Sequence, residues 1–323
     1  MDNIYLNVTI PNLTKEPILA RFEQNRNVAI VNDMSKYEMS IIRFYIPGTL
    51  IPLLNLKEGI PYWVTIEDNT GLKFSTKLEY INDSVLNVKN EINYYETMVR
   101  MFNLALAASW VASGGDVAHT PVLFFCPAKR IFAFNIRENT MYPADLTGRK
   151  LWINYDLYLL FDGFAGEFNG FNEVDFRDFN IWMNRSVDVN EPVNNRVITY
   201  QESSNLYLWP DLQRITFISG SMMIRNEYQL GFTGVDEMIP ILTDFEPIVD
   251  EEFKVKDIYQ YYPQGPWRWI DMIGTGPLVK LDGAIYYQTK DMQFKPIMIP
   301  PGRSVSFKLV FRKKNKNNSY GEE

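Results

Sequence analysis

Ser304-Val305-Ser306-Phe307-Lys308-Leu309-Val310-Phe311 is the stretch that decides the fold. Val305, Phe307 and Leu309 alternate with Ser304, Ser306 and Lys308, and Phe311 continues the apolar series. Successive side chains of a strand point to opposite faces, so this alternation marks a strand that buries one face and wets the other. Upstream, residues 294–299 read as another strand, and Pro300-Pro301-Gly302-Arg303 as the turn between the two. Downstream, Arg312-Lys313-Lys314-Asn315-Lys316 opens a polar tail, 312–323, expected to be disordered.

Working outward, the same signals recur along the chain. Strands are expected at 4–10, 28–31 and 37–46. Two hairpins are expected, one at 62–67 and 74–81 around Asp68-Asn69-Thr70-Gly71, the other at 122–125 and 131–136 around Pro127-Ala128-Lys129-Arg130. Further strand segments lie at 151–161, 197–201, 214–219, 238–245, 267–273 and 284–288. One segment breaks the pattern: Ile92, Tyr95, Val99, Phe102 and Leu106 recur at three- and four-residue steps. A helix is therefore expected over 91–112, with Asn90 as its N-cap and Gly114-Gly115 as its end. Residues 162–196, rich in Asn, Asp, Gly and Phe, read as a long loop or insertion. About ten strands and one long helix point to a mainly β protein, an antiparallel sandwich with loop insertions. Its parts are an N-terminal arm (1–35), one sandwich domain (36–311) and the tail.

The chain has 323 residues, 46% of them hydrophobic and 15% aromatic. That is ample for a core without disulfides or metal. The net charge of −7 argues against a domain that wraps nucleic acid over a broad surface. A single cysteine excludes an internal disulfide and suits synthesis in a reducing, intracellular compartment. The N-terminus has no basic-then-apolar signal peptide, and no apolar run is long enough for a membrane span.

Chemistry is sparse. His119 is the only histidine, and Cys126 sits between Phe125 and Pro127, where a buried inert thiol is expected. Two such residues cannot assemble a triad or a zinc site. Glu173, Asp175 and Asp178 cluster in the long loop, and Asp250-Glu251-Glu252 forms a charge run; both read first as solvated loop faces. Gly274-Thr275-Gly276-Pro277 lacks the Lys-Ser/Thr of a phosphate loop and reads as a turn. No catalytic residue, cofactor or metal site is assigned. Two candidate contact groups remain. Trp267-Arg268-Trp269, with Asp271, offers aromatic and Arg anchors to a partner or, equally, an alternating core strand. Arg312, Lys313, Lys314 and Lys316 offer charge to the phosphates of a nucleic acid or to a neighbouring protein subunit, or only a solubilising strand end.

Several segments, taken in order, resemble the penton-type minor capsid proteins of virophages, polintons and related double-stranded DNA viruses. They are Tyr95, Met98, Phe102, Asn103, Ala105 and Ala107; Pro121 to Phe125 with the hairpin at 131–136; and Ile153-Asn154-Tyr155-Asp156-Leu157-Tyr158 through Phe164. Gln201-Glu202, Leu206, Trp209, Leu212, Ile215, Ser219 and Glu227 follow, then Pro263, Arg268, Ile270-Asp271-Met272, Pro277-Leu278, Leu281-Asp282 and Ser306 to Phe311. The resemblance covers roughly 90–312 and brings no catalytic residues with it. It implies a single jelly roll that forms homopentamers at the five-fold vertices of an icosahedral virion, beside a double-jelly-roll major capsid protein. Contact with the genome or a host receptor belongs to the same expectation. The competing readings are a carbohydrate- or receptor-binding sandwich of the fibre-head kind and a jelly-roll glycosidase with paired carboxylates.

Overall fold

A computed structural model of the chain describes residues 3–83, 89–137, 140–141, 148–171, 176–183, 196–206, 209–230, 236–246, 258–261 and 267–314. The chain divides into two compact units, residues 1–51 with 211–323, and residues 52–210.

The first unit is built on eight strands: β1 (Ile4–Pro11), β2 (Arg21–Asn25), β3 (Tyr37–Pro47), β4 (Leu212–Ile218), β5 (Ile241–Phe245), β6 (Ile258–Tyr261), β7 (Lys280–Thr289) and β8 (Ser304–Lys313). One sheet runs β1–β8–β3–β6; the other runs β5–β4–β7, with β2 on the far edge of β7. Every pairing is antiparallel, and β1 pairs β8, β2 pairs β7, β3 pairs β6 and β4 pairs β5. First therefore meets last, second meets seventh, and so inward, while successive pairs alternate between the sheets. A long antiparallel ribbon rolled onto itself gives this order, and it is the jelly roll.

The alternation in β8 does what period-two physics requires. Val305, Phe307, Leu309 and Phe311 are buried in the core between the sheets. Phe44 from one sheet meets Phe217 and Phe245 from the other at ring distances of 5.6 and 4.9 Å. The register slips between Lys308 and Leu309, where Ile42 is the extra residue on β3, and Val310 is buried as well. The arm expected over 1–35 is not a separate element. β1 pairs along β8 from Ile4↔Phe311 to Pro11↔Ser304, because Val8 and Ile10 have a core to enter.

The turn after β4 is held by Asp282. Its carboxylate accepts from Ser219 Oγ (2.5 Å), Ser221 Oγ (2.6 Å), Ser221 N–H (2.9 Å) and Gly220 N–H (3.2 Å). Burial works to raise this carboxyl, but the four hydrogen bonds outweigh it and hold it below the usual carboxylate range. A carboxyl lowered on folding stabilises the native state above its unfolded value, and that stability is lost as pH falls through the folded one. Asp282→Asn is expected to cost about 1–2 kcal/mol at pH 7, modest because the carboxylate is partly solvated. Urea titrations of both proteins at pH 7 and pH 3 check this, with the gap narrowing in acid.

The second unit corrects the expectation of one domain with a helical insertion, since residues 52–210 build their own core. Its larger sheet runs Gly166–Phe168, Phe179–Ile181, Lys150–Ile153, Trp63–Glu67, Lys73–Lys77; a three-stranded sheet runs Arg196–Tyr200, Ile131–Arg137, Val122–Cys126. Both expected hairpins are present. The helix, α1, spans Tyr95–Ala112 and buries Met98, Phe102, Leu106 and Trp110. Asn90 is not its cap. It adopts φ +69°, and Glu91–Ile92 pairs with Leu54–Asn55 as short strands. The backbone N–H groups of Asn93 and Tyr94 donate instead to the Asp83 carboxylate. At the other end Gly114 (φ +75°) and Gly115 close the helix back onto Val111 and Trp110. The apolar run 151–161 is a strand only to Ile153; α2 (Tyr155–Phe161) takes the rest. The expected loop at 162–196 carries two strands of the larger sheet. Of the segment at 267–273 only Ile270–Asp271 is a strand, and the one expected at 28–31 is absent from the described pairings.

Candidate functional site

Strand β3 brings together the two contact groups that lie more than forty residues apart in sequence. On one edge Asp271 stands opposite Glu38; on the other Arg312 stands opposite the same Glu38, and Lys313 opposite Tyr37. The side chains complete the junction. Arg312 Nε donates to Glu38 Oε1 at 2.5 Å, and its guanidinium lies 3.6 Å from the centre of the Trp269 ring. Lys314 Nζ reaches Asp271 Oδ1 at 3.1 Å and donates to the Met272 carbonyl at 3.1 Å. Trp267 packs against Trp269 with ring centres 5.6 Å apart.

Arg268 points to a second set of carboxylates. It donates to Asp244 Oδ1 at 2.5 Å and contacts Glu227, while the other Asp244 oxygen accepts from Arg214 at 3.0 Å. With Ile41, Thr243, Phe245 and Glu246 this pair lines an open recess. Trp267 and Trp269 are half-buried and Arg268 exposed, so the segment is neither a core strand nor a free anchor. It is strapped to the sheet by ion pairs.

The arrangement neutralises charge. Arg268, Arg312 and Lys314 each face a carboxylate, which leaves Lys313 as the exposed cation of the basic run among the described residues. Lys316 lies outside the described residues. Charge-assisted pairs of this kind hold segments in register. Sequence reasoning found the cations and missed Glu38 and Asp244, and it named Glu227 without its partner. No local signal marks these carboxylates, since Glu38 and Arg312 are 274 residues apart.

The remaining candidates have structural duties. Asp178 is buried and accepts from the Tyr155 N–H at 2.7 Å, holding the start of α2; Glu173 and Asp175 lie outside the described residues, as does 250–252. Burial raises the neighbouring Asp156 carboxyl, Lys57 opposing and Asp178 adding to the rise. His119 contacts Asp116 at 3.0 Å and Arg137. Cys126 is half-buried, not enclosed as expected, because it is the last residue of its strand, where the Arg130 N–H donates to its carbonyl across the turn. Gly276 gives its carbonyl to the Met34 N–H, the turn role expected of that stretch. Tyr158 is pushed up to about 12 by burial and by its hydrogen bond to Asp162, and so is no neutral-pH nucleophile. Among the described residues no group of three metal-ligating side chains comes together, and no helix is long and apolar enough to cross a membrane.

A family model described as Sputnik minor capsid protein V18/19 matches residues 4–313. Structural protein V19 of Sputnik virophage is 27% identical over 194 residues, which is 56% of this chain and 88% of that protein. A chain of the cryo-EM structure of the Sputnik virophage superposes with a TM-score of 0.78 at 23% identity, over 97% of this chain and 98% of that one. The crystal structure of the mavirus penton protein superposes with a TM-score of 0.73 at 17% identity, over 97% of this chain and all of that one.

Proposed function

The chain belongs to the Sputnik minor capsid protein V18/19 family, and from that premise we propose that it is a penton, five copies of which close into a ring at each five-fold vertex of an icosahedral virion. The observation that carries this reading is the match along residues 4–313, which takes in both units and all eight strands of the jelly roll. The likeness in fold to a protein titled a penton favours the vertex over other places in the shell. A cyclic ring needs two different lateral faces on each subunit, and a chain of two units has the surface to provide them. In this reading the neighbours are further copies of the chain and a major capsid protein built on a double jelly roll. The role is architectural and not enzymatic. It agrees with a set of ionisable side chains occupied in caps, turns and straps.

Light scattering on the purified chain is expected to give five times the 37.7-kDa chain mass. Particles labelled at Lys313 are expected to show density at the vertices. A stable trimer would favour a fibre head, and hydrolysis of a glycan lost on Glu173→Gln or Asp175→Asn would overturn the architectural reading.

A further inference from the structure

Helix α1 has an outer face that a solvated helix does not carry. From Met101 to Gly115 the sequence holds no charged side chain. Leu104, Ala107, Ala108 and Val111, at positions i, i+3, i+4 and i+7, share the side turned away from the core, and Leu104 and Val111 are 57% and 50% exposed. A surface helix normally turns charge to water, and one that is apolar all round is buried. On this exposed face two alanines lie between larger residues, which makes it a trough.

A second exposed apolar patch lies on the same unit, and its shape is the reverse. Phe168 and Phe171 are 52% and 72% exposed, and they meet edge to face with ring centres 5.9 Å apart. Tyr155 packs on Phe171 at 4.6 Å and backs the pair. Two bulky rings thus project beside the start of α2.

The larger sheet sets the two patches apart. The strand carrying Phe168 is one edge, and Lys73–Lys77 is the other. Helix α1 is anchored at the latter side, where Ser109 Oγ bonds Val64 O at 3.1 Å and Thr76 Oγ1 at 2.8 Å. Four strand spacings put the edges roughly 19 Å apart. One subunit therefore carries knobs at one edge and a trough toward the other, the layout that head-to-tail contact requires and that an isologous dimer does not.

We propose that the Phe168–Phe171 knobs of one copy seat in the Leu104–Val111 trough of the next, and that this contact, made between the second units, closes the ring. The inference rests on the ring reading above and names its contact. Knob and trough match in polarity, and hot spots of interfaces concentrate in such aromatic anchors and the pockets they fill.

Complementation between two variants tests it. One is Leu104→Lys with Val111→Lys, the other Phe168→Ser with Phe171→Ser. All four positions are half or more exposed, so both chains are expected to keep the wild-type circular dichroism and Tm. Each alone is expected to shift ring formation to at least about 30-fold higher concentration. Mixed in equal amounts, they are expected to form a two-chain species, because each supplies the half that the other lacks. Ala108→Trp fills the trough without adding charge and is expected to reproduce the first defect. If the wild-type chain forms rings and all three variants form them equally well, the contact is wrong and the ring reading stands. A mixture no heavier than its parts overturns the head-to-tail pairing. A wild-type chain that stays monomeric at every concentration overturns the ring itself, and this contact with it.

Discussion

Replacing Phe307 with alanine is expected to destabilise the jelly-roll unit by about 3–5 kcal/mol, the cost of removing a fully packed aromatic ring. Phe307 is 2% exposed, and its ring lies 5.2 Å from Phe22 and 5.5 Å from Phe217, so it bridges the two sheets. Its strand is hydrogen-bonded on both edges, to β1 and to β3, and the backbone cannot move in to fill the hole. The penalty should therefore keep its cavity component. Urea denaturation measures it. Lys308→Ala, one position along and facing outward, is the control and is expected to stay within about 0.5 kcal/mol of wild type. A loss below about 1 kcal/mol for Phe307→Ala would mean that the inward face of β8 is wrongly assigned.

That face was legible because its signal is local. A strand declares its buried side every second residue, and Gly, Pro, Asn and Asp mark where it turns. The closing strand and the hairpins around Asp68–Gly71 and Pro127–Arg130 could all be found this way. Asp68 shows the mechanism: its Oδ1 accepts from the Thr70 and Leu72 N–H groups, and Gly71 takes φ +84°.

Where a boundary depends on a distant partner, local reading fails. Asn90 has the side chain of a cap, but the cap position is Tyr94, and the Asp83 carboxylate holds the approach to the helix by accepting from the Asn93 and Tyr94 N–H groups. The run 151–161 is apolar apart from Asn154 and Asp156, and its pattern does not distinguish strand from helix. Asn154 divides it: its Oδ1 accepts from the Trp63 N–H at 2.8 Å and its carbonyl from the Tyr158 N–H at 2.9 Å. The second unit stayed hidden for a similar reason. Both cores draw on the same Phe-, Ile- and Leu-rich composition, and no linker separates residue 51 from 52 or 210 from 211. At the candidate site the tryptophans and cations were visible as residue types. Their pairing was not, because both segments meet on β3, which comes from the other end of the chain.

In the second unit the corresponding loss is expected at Trp209. It is fully buried, stacks on Phe132 with ring centres 5.2 Å apart, meets Phe161 edge to face at 5.9 Å and touches Tyr95 at 5.2 Å. Its Nε1 donates to the Leu160 carbonyl at 2.8 Å, close to the end of α2. Trp209→Ala removes the ring, opens a cavity among rigid aromatics and leaves that carbonyl to Asn205 alone, and about 3–5 kcal/mol is expected. Trp209→Phe keeps most of the packing and deletes the hydrogen bond, so about 1–2 kcal/mol is expected. The ratio of the two losses is the informative quantity. If phenylalanine restores most of the stability, the site is a packing site. If it fails as badly as alanine, the Leu160 bond governs how α2 ends, and through α2 where Tyr155 and its neighbours Phe168 and Phe171 stand at the surface. The second outcome would link an interior tryptophan to the knobs proposed for ring closure. It would also predict that Trp209→Phe weakens assembly at concentrations and temperatures where the chain is still folded, which light scattering below the Tm reads directly.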